Sequence, residues 1–348
     1  MIAVVILNWN GSAMMRRFLP SVIAGCAGEG EVIVADNGST DDSLEMLRTE
    51  FPEVRILALD QNYGFAEGYN QSFKKLAEEQ TERGEAPYDY LLLLNSDVEC
   101  TDGWLRPLRE YMDAHPDCAA CQPKVRAEWD RSRLEYAGAC GGFIDRDGYP
   151  FCRGRIFGVA EEDKGQYDTV ADIFWATGAA LMIRAKDWTE VGGLDGRFFA
   201  HNEEIDLCWR LRCRGRRIVC VPQSVVYHVG GGTLPQDNPR KTYLNFRNNL
   251  TMLYKNLPEG EMQRVLRRRT VLDWVAALQF MAKLDFANAR AIFRARRDYK
   301  AWRKDFEADR RTNLAATVVN PIPERYNISL LWQYYARGRK RYHQLPIG

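Results

Sequence analysis

Two polar stops in this chain have the residue types and the setting to do chemistry. Tyr88 and Tyr90 lead into Leu91-Leu92-Leu93-Leu94, and that apolar run ends abruptly at Asn95-Ser96-Asp97. Four consecutive leucines suit a strand buried on both faces of a parallel sheet. Ligands of open α/β sheets bind just beyond the carboxyl ends of the strands. A carboxylate placed there can hold a hard divalent cation, and that cation can neutralise a diphosphate. The plainer alternative is that Asn95 and Asp97 only turn the chain and cap the next helix. The second stop, Glu203-Glu204-Ile205-Asp206, opens a helix pattern that ends at Gly215, with Asn202 placed as its N-cap. Acidic residues also complement the dipole of a first helical turn, so position alone gives these three no chemistry.

The elements that must carry these residues alternate. Ala3–Asn8 reads as a strand and 13–24 as an amphipathic helix; Glu31–Asp36 is a second strand, and Ser43–Phe51 a helix capped from the polar cluster 36–42. Val54–Leu59 is a third strand, a helix lies near 67–79, and Tyr90–Asn95 is the fourth strand. This alternation predicts an α/β fold with a doubly wound, mostly parallel, Rossmann-like sheet. No G-x-G-x-x-G follows the first strand and no phosphate-binding P-loop motif occurs, so any nucleotide phosphates must be held another way. Residues 126–169, rich in Gly, Arg and Asp, read as an irregular excursion with a short strand or two. Asp172–Arg184 returns to a strand pattern around Gly178, 191–195 is a loop, and Ile218–Val221 is a further strand.

The bulk numbers narrow the class. A chain of 348 residues with 46% hydrophobic and 27% charged residues is an ordinary globular composition. The net charge of +1 conceals a split, because residues 261–348 hold 19 Lys and Arg against 8 Asp and Glu. An acidic body with a basic tail suggests that the tail meets something anionic. Nine cysteines at scattered spacing, with no signal-peptide pattern, do not form a disulfide framework and favour a reducing cytoplasm. A zinc site from Cys118, Cys121, Cys140 and Cys152 is disfavoured, because the second pair is too widely spaced. No stretch reaches the ~20 apolar residues of a membrane span.

Seven segments, in order, carry a family resemblance: VVILNWNG at 4–11, VIVADNGSTDDS at 32–43, NYGFAEGYN at 62–70, LLLNSDV at 92–98, WATGAALMIR at 175–184, GGLDGRFFAHNEEIDLCWRLRCRG at 192–215 and HVGGGT at 228–233. Together they resemble the family-2 glycosyltransferases of GT-A fold, in their bacterial rhamnosyltransferase-like branch, over roughly residues 1–250. The resemblance implies a metal-dependent enzyme that moves a sugar from a nucleotide-diphosphate donor, UDP- or dTDP-linked, to an acceptor hydroxyl with inversion, in cell-surface polysaccharide or O-antigen assembly. Acceptors in this family are often polyprenyl-linked saccharides at the inner membrane.

The same resemblance assigns residues. Asp97 takes the metal position of a D-x-D-like motif that here reads Asn95-Ser96-Asp97, with Mg²⁺ or Mn²⁺ as the cofactor. His228 is the second metal candidate, its alternative being a structural His near the Gly230–Gly232 turn. Glu204 stands where the family has its catalytic Asp, as general base, and Glu203 competes for that role. Asp206 is assigned to the acceptor side with Trp175 and Gly178; pairing with Arg210 or Arg212 is its equal alternative. Asp36 corresponds to the nucleobase contact, with Asn37, Ser39 and Asp41 shaping its loop. Asn8, Asn62, Gly64, Asn95 and Ser96 complete the donor pocket, with Trp9, Asn10 and Asn70 as lesser members.

Past residue 250 the resemblance thins to a basic, mainly helical C-terminal extension, 251–348. Arg267-Arg268-Arg269 precedes Val271, Trp274, Val275, Leu278 and Met281 at helical spacing, which is how an interfacial helix looks. The alternative is a stripe packed on the enzyme or on a second copy. Peripheral contact with the inner face of the cell membrane is therefore an expectation, and nucleic acid is not, since no recognised module accompanies the charge. Two rival functions frame the reading. A sugar-nucleotide pyrophosphorylase needs a Gly-rich loop with Arg after strand one, which Asn10-Gly11-Ser12-Ala13 does not supply. A non-catalytic nucleotide-sugar-binding scaffold stays open, because Asn95 and Glu204 both depart from the family's acids.

Overall fold

The structure is a computed structural model that describes residues 1–230 and 238–347. Its first half runs β1 Ile2–Asn8, α1 Ser12–Cys26, β2 Glu31–Asp36, α2 Ser43–Glu50, β3 Arg55–Ala58, α3 Gly64–Arg83 and β4 Tyr90–Asn95. There follow β5 Val98–Cys100, α4 Leu105–Ala114, β6 Cys118–Ala127, β7 Gly142–Asp145, β8 Pro150–Cys152, β9 Arg155–Ile156, β10 Val159–Ala160, β11 Ala171–Asp172, β12 Ala180–Arg184, α5 Ala185–Val191, α6 Glu203–Cys213 and β13 Arg217–His228. The last part holds α7 Pro239–Asn256, α8 Glu259–Ala282, α9 Phe286–Trp302, α10 Glu307–Ala315 and β14 Arg325–Tyr326.

The main sheet has the order β11-β13-β6-β12-β4-β1-β2-β3, with β5 paired to β13. Strands β1 to β4 are parallel to their neighbours, as the alternation predicts. The second half is mixed: β12 runs antiparallel to both β4 and β6, while β13 is parallel to β6. The leucine run shows why the sheet must be covered on both sides. Leu91 and Leu93 pack into one hydrophobic cluster with Val5, Tyr69 and Phe73. Leu92 and Leu94 pack into the other with Val4, Leu19 and Leu108. Side chains alternate across a strand, so an unbroken apolar strand is read equally by helices on both faces.

The connection between β1 and β2 covers one face and that between β3 and β4 the other, so β1, flanked by β2 and β4, is the topological switch point. Register then aligns the strand ends: Leu7 lies opposite Asn95, and Asn8 opposite Asp36. The ends of β1, β2 and β4 therefore meet on one edge.

The second half departs from expectation in four places. The excursion 126–169 is more ordered than its composition suggests, for β7 to β10 form a small sheet that β14 joins in parallel. The strand expected over 172–184 is broken: β11 ends at Asp172, and β12 starts only at Ala180. The strand expected over 218–221 extends to His228 through a register shift between Val221 and Val225. The boundary expected at residue 250 falls inside α7, and Met252, Leu253, Val265, Phe306 and Leu330 belong to the same core cluster as Val5 of β1, Tyr69 of α3 and Leu91 of β4. The extension is mostly helical, as read, but it shares the core.

The apolar stripe of α8 does not pack inward. Met262, Val265 and Ala277 face the protein, whereas Trp274 is 54% exposed and Val271, Val275 and Leu278 more so. Among the described residues, no helix is long and apolar enough to cross a membrane. The nine cysteines are buried and unpaired, and Cys118 and Cys121 pack in one core cluster while Cys140 and Cys152 pack in the other. That separation rules out a four-cysteine zinc site.

Candidate active site

The aligned strand ends build one side of a cleft. Asp36 is buried, its Oδ2 accepting from Asn8 Nδ2 at 3.1 Å and its Oδ1 from the Ser39 amide at 3.0 Å. Ser39 Oγ accepts from the Asn10 amide at 2.9 Å, and Asn10 Oδ1 accepts from the Thr40 amide at 2.7 Å. Asp41 Oδ2 accepts from the Ser12 amide. These bonds lock the loop after β1 to the loop after β2. Asn37 extends the frame: its amide donates to Asn62 Oδ1 and to the Gly64 carbonyl, and its Oδ1 accepts from the Tyr63 amide. Gly64 has φ of 76° and lies so close to Phe199 that a Cβ would stand 2.6 Å from the ring. Only glycine meets both demands. Asn70 is drawn away from the cleft to Leu194, and Trp9 is half exposed at its rim. Ser96 Oγ lies beside Gly11, where Asn8 Oδ1 is buried without a partner among the described residues.

At the end of β4 the chain doubles back, and β5 pairs with β13 so that Val98 faces His228. The Val229 amide donates to the Asp97 carbonyl at 3.1 Å, which fixes the two segments together. His228 Nε2 consequently lies 3.1 Å from Asp97 Oδ1 and 3.4 Å from Asn95 Nδ2. On the far side of the ring, Nδ1 is 3.3 Å from Glu135 Oε2. Burial opposes charge on this imidazole, but the bond to Asp97 and the nearby Glu135 outweigh it and raise His228 to about 10. Burial likewise opposes ionisation of Asp97, and the His228 bond overrides it, so its carboxyl sits below the usual range. Of the segment 228–233, Gly231, Gly232 and Thr233 lie outside the described residues.

These groups fit a divalent cation in part. Asp97 Oδ1 and His228 Nε2 are close enough to touch one ion together, at the ~2–2.2 Å reach of carboxylate and imidazole donors. Glu135 stands where a carboxylate would take the other ring N–H, the usual support of a metal-bound imidazole. Among the described residues, no cluster of three or more His, Cys, Asp or Glu could hold a metal ion. The protein thus offers two donors, leaving further positions to phosphate and water.

The opposite wall is the start of α6. Gly178 brings it close: a Cβ there would stand 3.1 Å from Phe65 and 3.9 Å from Glu204 Cβ. The next residue, Ala179, accepts from the Asn95 amide at 3.0 Å, so the same turn touches both walls. Glu203 is buried and Glu204 mostly so, and each has a buried Oε2 without a partner among the described residues. Burial, with the neighbouring Glu204, pushes Glu203 well up; burial raises Glu204 to about 7. The backbone leading into them is unusual. Phe199, His201 and Asn202 all have φ between 67° and 71°, a region non-glycine residues seldom adopt. Asn202 occupies the N-cap, as expected, but its side chain makes no cap bond, because its left-handed backbone aims it elsewhere.

Two expected acceptor-side residues face inward instead. Asp206 is fully buried, with Oδ2 bound by Arg210 at 2.9 Å and Lys255 at 2.8 Å, and Oδ1 by Asn256 at 2.9 Å. Trp175 is also buried, donating Nε1–H to the Phe143 carbonyl and pressing its ring on Gly142. A saturated carboxylate and a core indole present nothing to a cleft, and of the three only Gly178 reaches it.

Two positions contribute that the sequence reading passed over. Glu135 has no motif, and nothing near it in sequence marks its approach to His228. Asn248, on α7, belongs to none of the segments singled out in the sequence. Its amide reaches the Phe198, Ala200 and His201 carbonyls at 3.0, 2.8 and 2.8 Å and so holds the strained loop ahead of Glu203. The signal for it was a polar Asn-Asn pair in the apolar run of α7.

Comparison with known proteins agrees with this geometry. The model of Glycosyl transferase family 2 matches residues 3–159. N-acetylglucosaminyl-diphospho-decaprenol L-rhamnosyltransferase of Mycobacterium tuberculosis is 28% identical over 231 residues, 65% of this chain and 75% of its own length. Rhamnosyltransferase WbbL of Escherichia coli is 39% identical over 61 residues, 18% of this chain and 22% of its own. The structure of S. aureus TarS 1-349 in complex with UDP-GlcNAc superposes with a TM-score of 0.55 at 13% identity, covering 90% of this chain and 88% of that one. The longer TarS chain is spanned only to 42%. At such identity the likeness is one of fold, the GT-A fold. Residues 3–159 thus match glycosyl transferase family 2, and the chain is similar to rhamnosyltransferases.

Proposed function

We propose that this protein is an inverting glycosyltransferase that moves a sugar from a nucleotide-diphosphate donor to a hydroxyl of a polyprenyl-diphosphate-linked saccharide, in cell-surface polysaccharide assembly. The observation that carries the reading is a glutamate pair, largely buried and without a cationic partner among the described residues, facing across one glycine turn the Asp97–His228 end of the cleft. The acceptor class is taken from the mycobacterial relative, whose name specifies a diphospho-decaprenol substrate.

In this mechanism Asp36 and the frame of Asn8, Asn37, Ser39 and Asn62 receive the base and ribose, and the frame's rigidity keeps them in line with the reacting carbon. Asp97 and His228 would hold Mg²⁺ or Mn²⁺, which would supply charge to neutralise the leaving diphosphate. Glu204 takes the proton of the acceptor hydroxyl as its oxygen forms a bond to the anomeric carbon. The carbon–oxygen bond to the diphosphate breaks on the opposite face, and the electron pair leaves with the diphosphate, giving inversion. Glu204 is the better base of the pair, because Glu203 lies deeper and holds its proton more tightly. A base that titrates near 7 is matched to a neutral medium.

The test is thermal stabilisation by UDP- and dTDP-sugars with Mn²⁺, with Mg²⁺ and with EDTA, beside Asp97→Ala. A donor at ~100 times its dissociation constant adds about 2.7 kcal/mol. A metal-dependent shift that Asp97→Ala abolishes is the expected result. A shift indifferent to EDTA and to Asp97→Ala would overturn the metal role.

A further inference from the structure

An open groove of 960 Å³ lies between α7 and α9 and, among the described residues, is lined by six arginines and no carboxylate. Four of them, Arg240, Arg247, Arg290 and Arg294, form no ion pair among the described residues. Arg294 instead stacks over Tyr243 at 4.1 Å and Arg240 over Phe199 at 5.1 Å. Stacking fixes each guanidinium plane while leaving its N–H edge free, the geometry that suits bidentate binding of phosphate. At one end the groove opens onto apolar surface. Phe293 lines the groove and makes an edge contact with Trp274 at 5.6 Å, the centre of the exposed α8 stripe. Soluble monomers seldom leave so continuous an apolar face without a function for it. At the other end stands Phe199, which lines the groove and packs on Gly64 of the donor pocket, four residues before Glu203.

We infer that the groove receives the diphosphate of the lipid-linked acceptor, with its isoprenoid chain running out over Phe293, Trp274 and Leu278. The inference rests on the acceptor class proposed above and adds the place where that acceptor is held. A bare anionic bilayer would need the stripe and scattered cations but no groove. The stacked arginines sit one loop from Glu204, so a head group bound there presents its saccharide toward the cleft.

The experiment is flotation of the full chain with three vesicles: phosphatidylcholine alone, phosphatidylcholine with phosphatidylglycerol, and phosphatidylcholine with a long-chain polyprenyl diphosphate at matched charge. Recruitment by the third is expected to exceed the second by roughly tenfold, an increment of ~1.4 kcal/mol. Arg290→Glu/Arg294→Glu should abolish the excess, Trp274→Ser/Leu278→Ser should reduce recruitment severalfold, and millimolar inorganic pyrophosphate should compete. Both variants change exposed residues, and unaltered stabilisation by nucleotide sugar verifies their fold and donor site. Equal recruitment by the two anionic vesicles, or an excess that survives the charge reversal, would overturn the inference. Vesicle recruitment without any donor-induced shift would sink the functional reading and leave the groove standing; the converse would sink the groove alone.

Discussion

Glu204 and Asp206 share the first turn of α6, both are acids, and their environments have opposite consequences. Asp206 is enclosed with Lys255 and Arg210, and Asp195 joins the same ammonium at 2.7 Å. Burial alone would raise these carboxyls, but Lys255 and its arginine neighbours reverse the effect, lowering Asp206 and bringing Asp195 to about 2. Glu204 lies mostly buried beside Glu203 with no cationic partner among the described residues, so nothing reverses the cost of desolvation and it rises to about 7. The difference teaches what burial of an acid means: with a matched cation the charged form is fixed in place, and without one the carboxyl keeps its proton toward neutral pH, which is what the proposed base requires.

The contrast breaks most visibly in turnover. Glu204→Gln keeps shape and removes the basic oxygen, so kcat should fall by about 10²–10⁴ while the donor-induced melting shift persists. A variant with wild-type kcat would remove Glu204 from the chemistry. Asp206 answers to a different assay. Lys255→Met leaves Asp206 and Asp195 short of their shared cation, and breaking a buried pair costs about 3–5 kcal/mol. Denaturant midpoints should register that loss, with turnover per folded molecule within a few-fold of wild type. A kcat collapse in a fully folded Lys255→Met would place the ion cluster in the chemistry and erase the distinction.

How far this contrast could be read from the sequence differs along the chain. Strands β1 to β4 were legible because their apolar runs are bounded by turn residues and pair with sequence neighbours, so local pattern and final contacts coincide. Asp97, Glu204 and His228 were found by segment resemblance, and the structure brings Asp97 and His228 together. Asp206 and Trp175 were placed on the wrong surface because helical spacing and residue type do not say which face is covered. That is decided by Lys255 and by Phe143, 49 and 32 residues distant. Glu135 was invisible for the same reason: its meaning lies in a contact 93 residues away in sequence, with His228.

That contact sharpens the comparison at the other end of the cleft, where His228 lies between Asp97 and Glu135. Glu135→Gln removes the carboxylate behind the imidazole while leaving Asp97 and His228 in place. Metal affinity measured calorimetrically with Mn²⁺ should weaken by about 10–100-fold, the usual effect of losing such a support. Unchanged affinity would reduce Glu135 to a packing residue.

Stability against pH separates Glu204 by sign from Asp195, which shares Lys255 with Asp206. Glu204 has a folded value near 7 against about 4.3 unfolded, so the native state retains a proton that the unfolded chain releases. Stability is therefore lost as pH rises from about 4 toward 7, by roughly 3–4 kcal/mol in all. Asp195, at about 2 against about 3.9 unfolded, contributes stability above pH 4 that disappears as pH falls toward 2. Glu204→Gln should then melt with wild type near pH 4 and progressively above it by pH 7. Asp195→Asn should melt below wild type at pH 7 and converge with it near pH 2. Melting curves across that range separate the cases without any assay of turnover. If Glu204→Gln lowered the melting temperature at pH 7, the carboxylate would have a cationic partner in solution, and a base held ready by desolvation would no longer describe it.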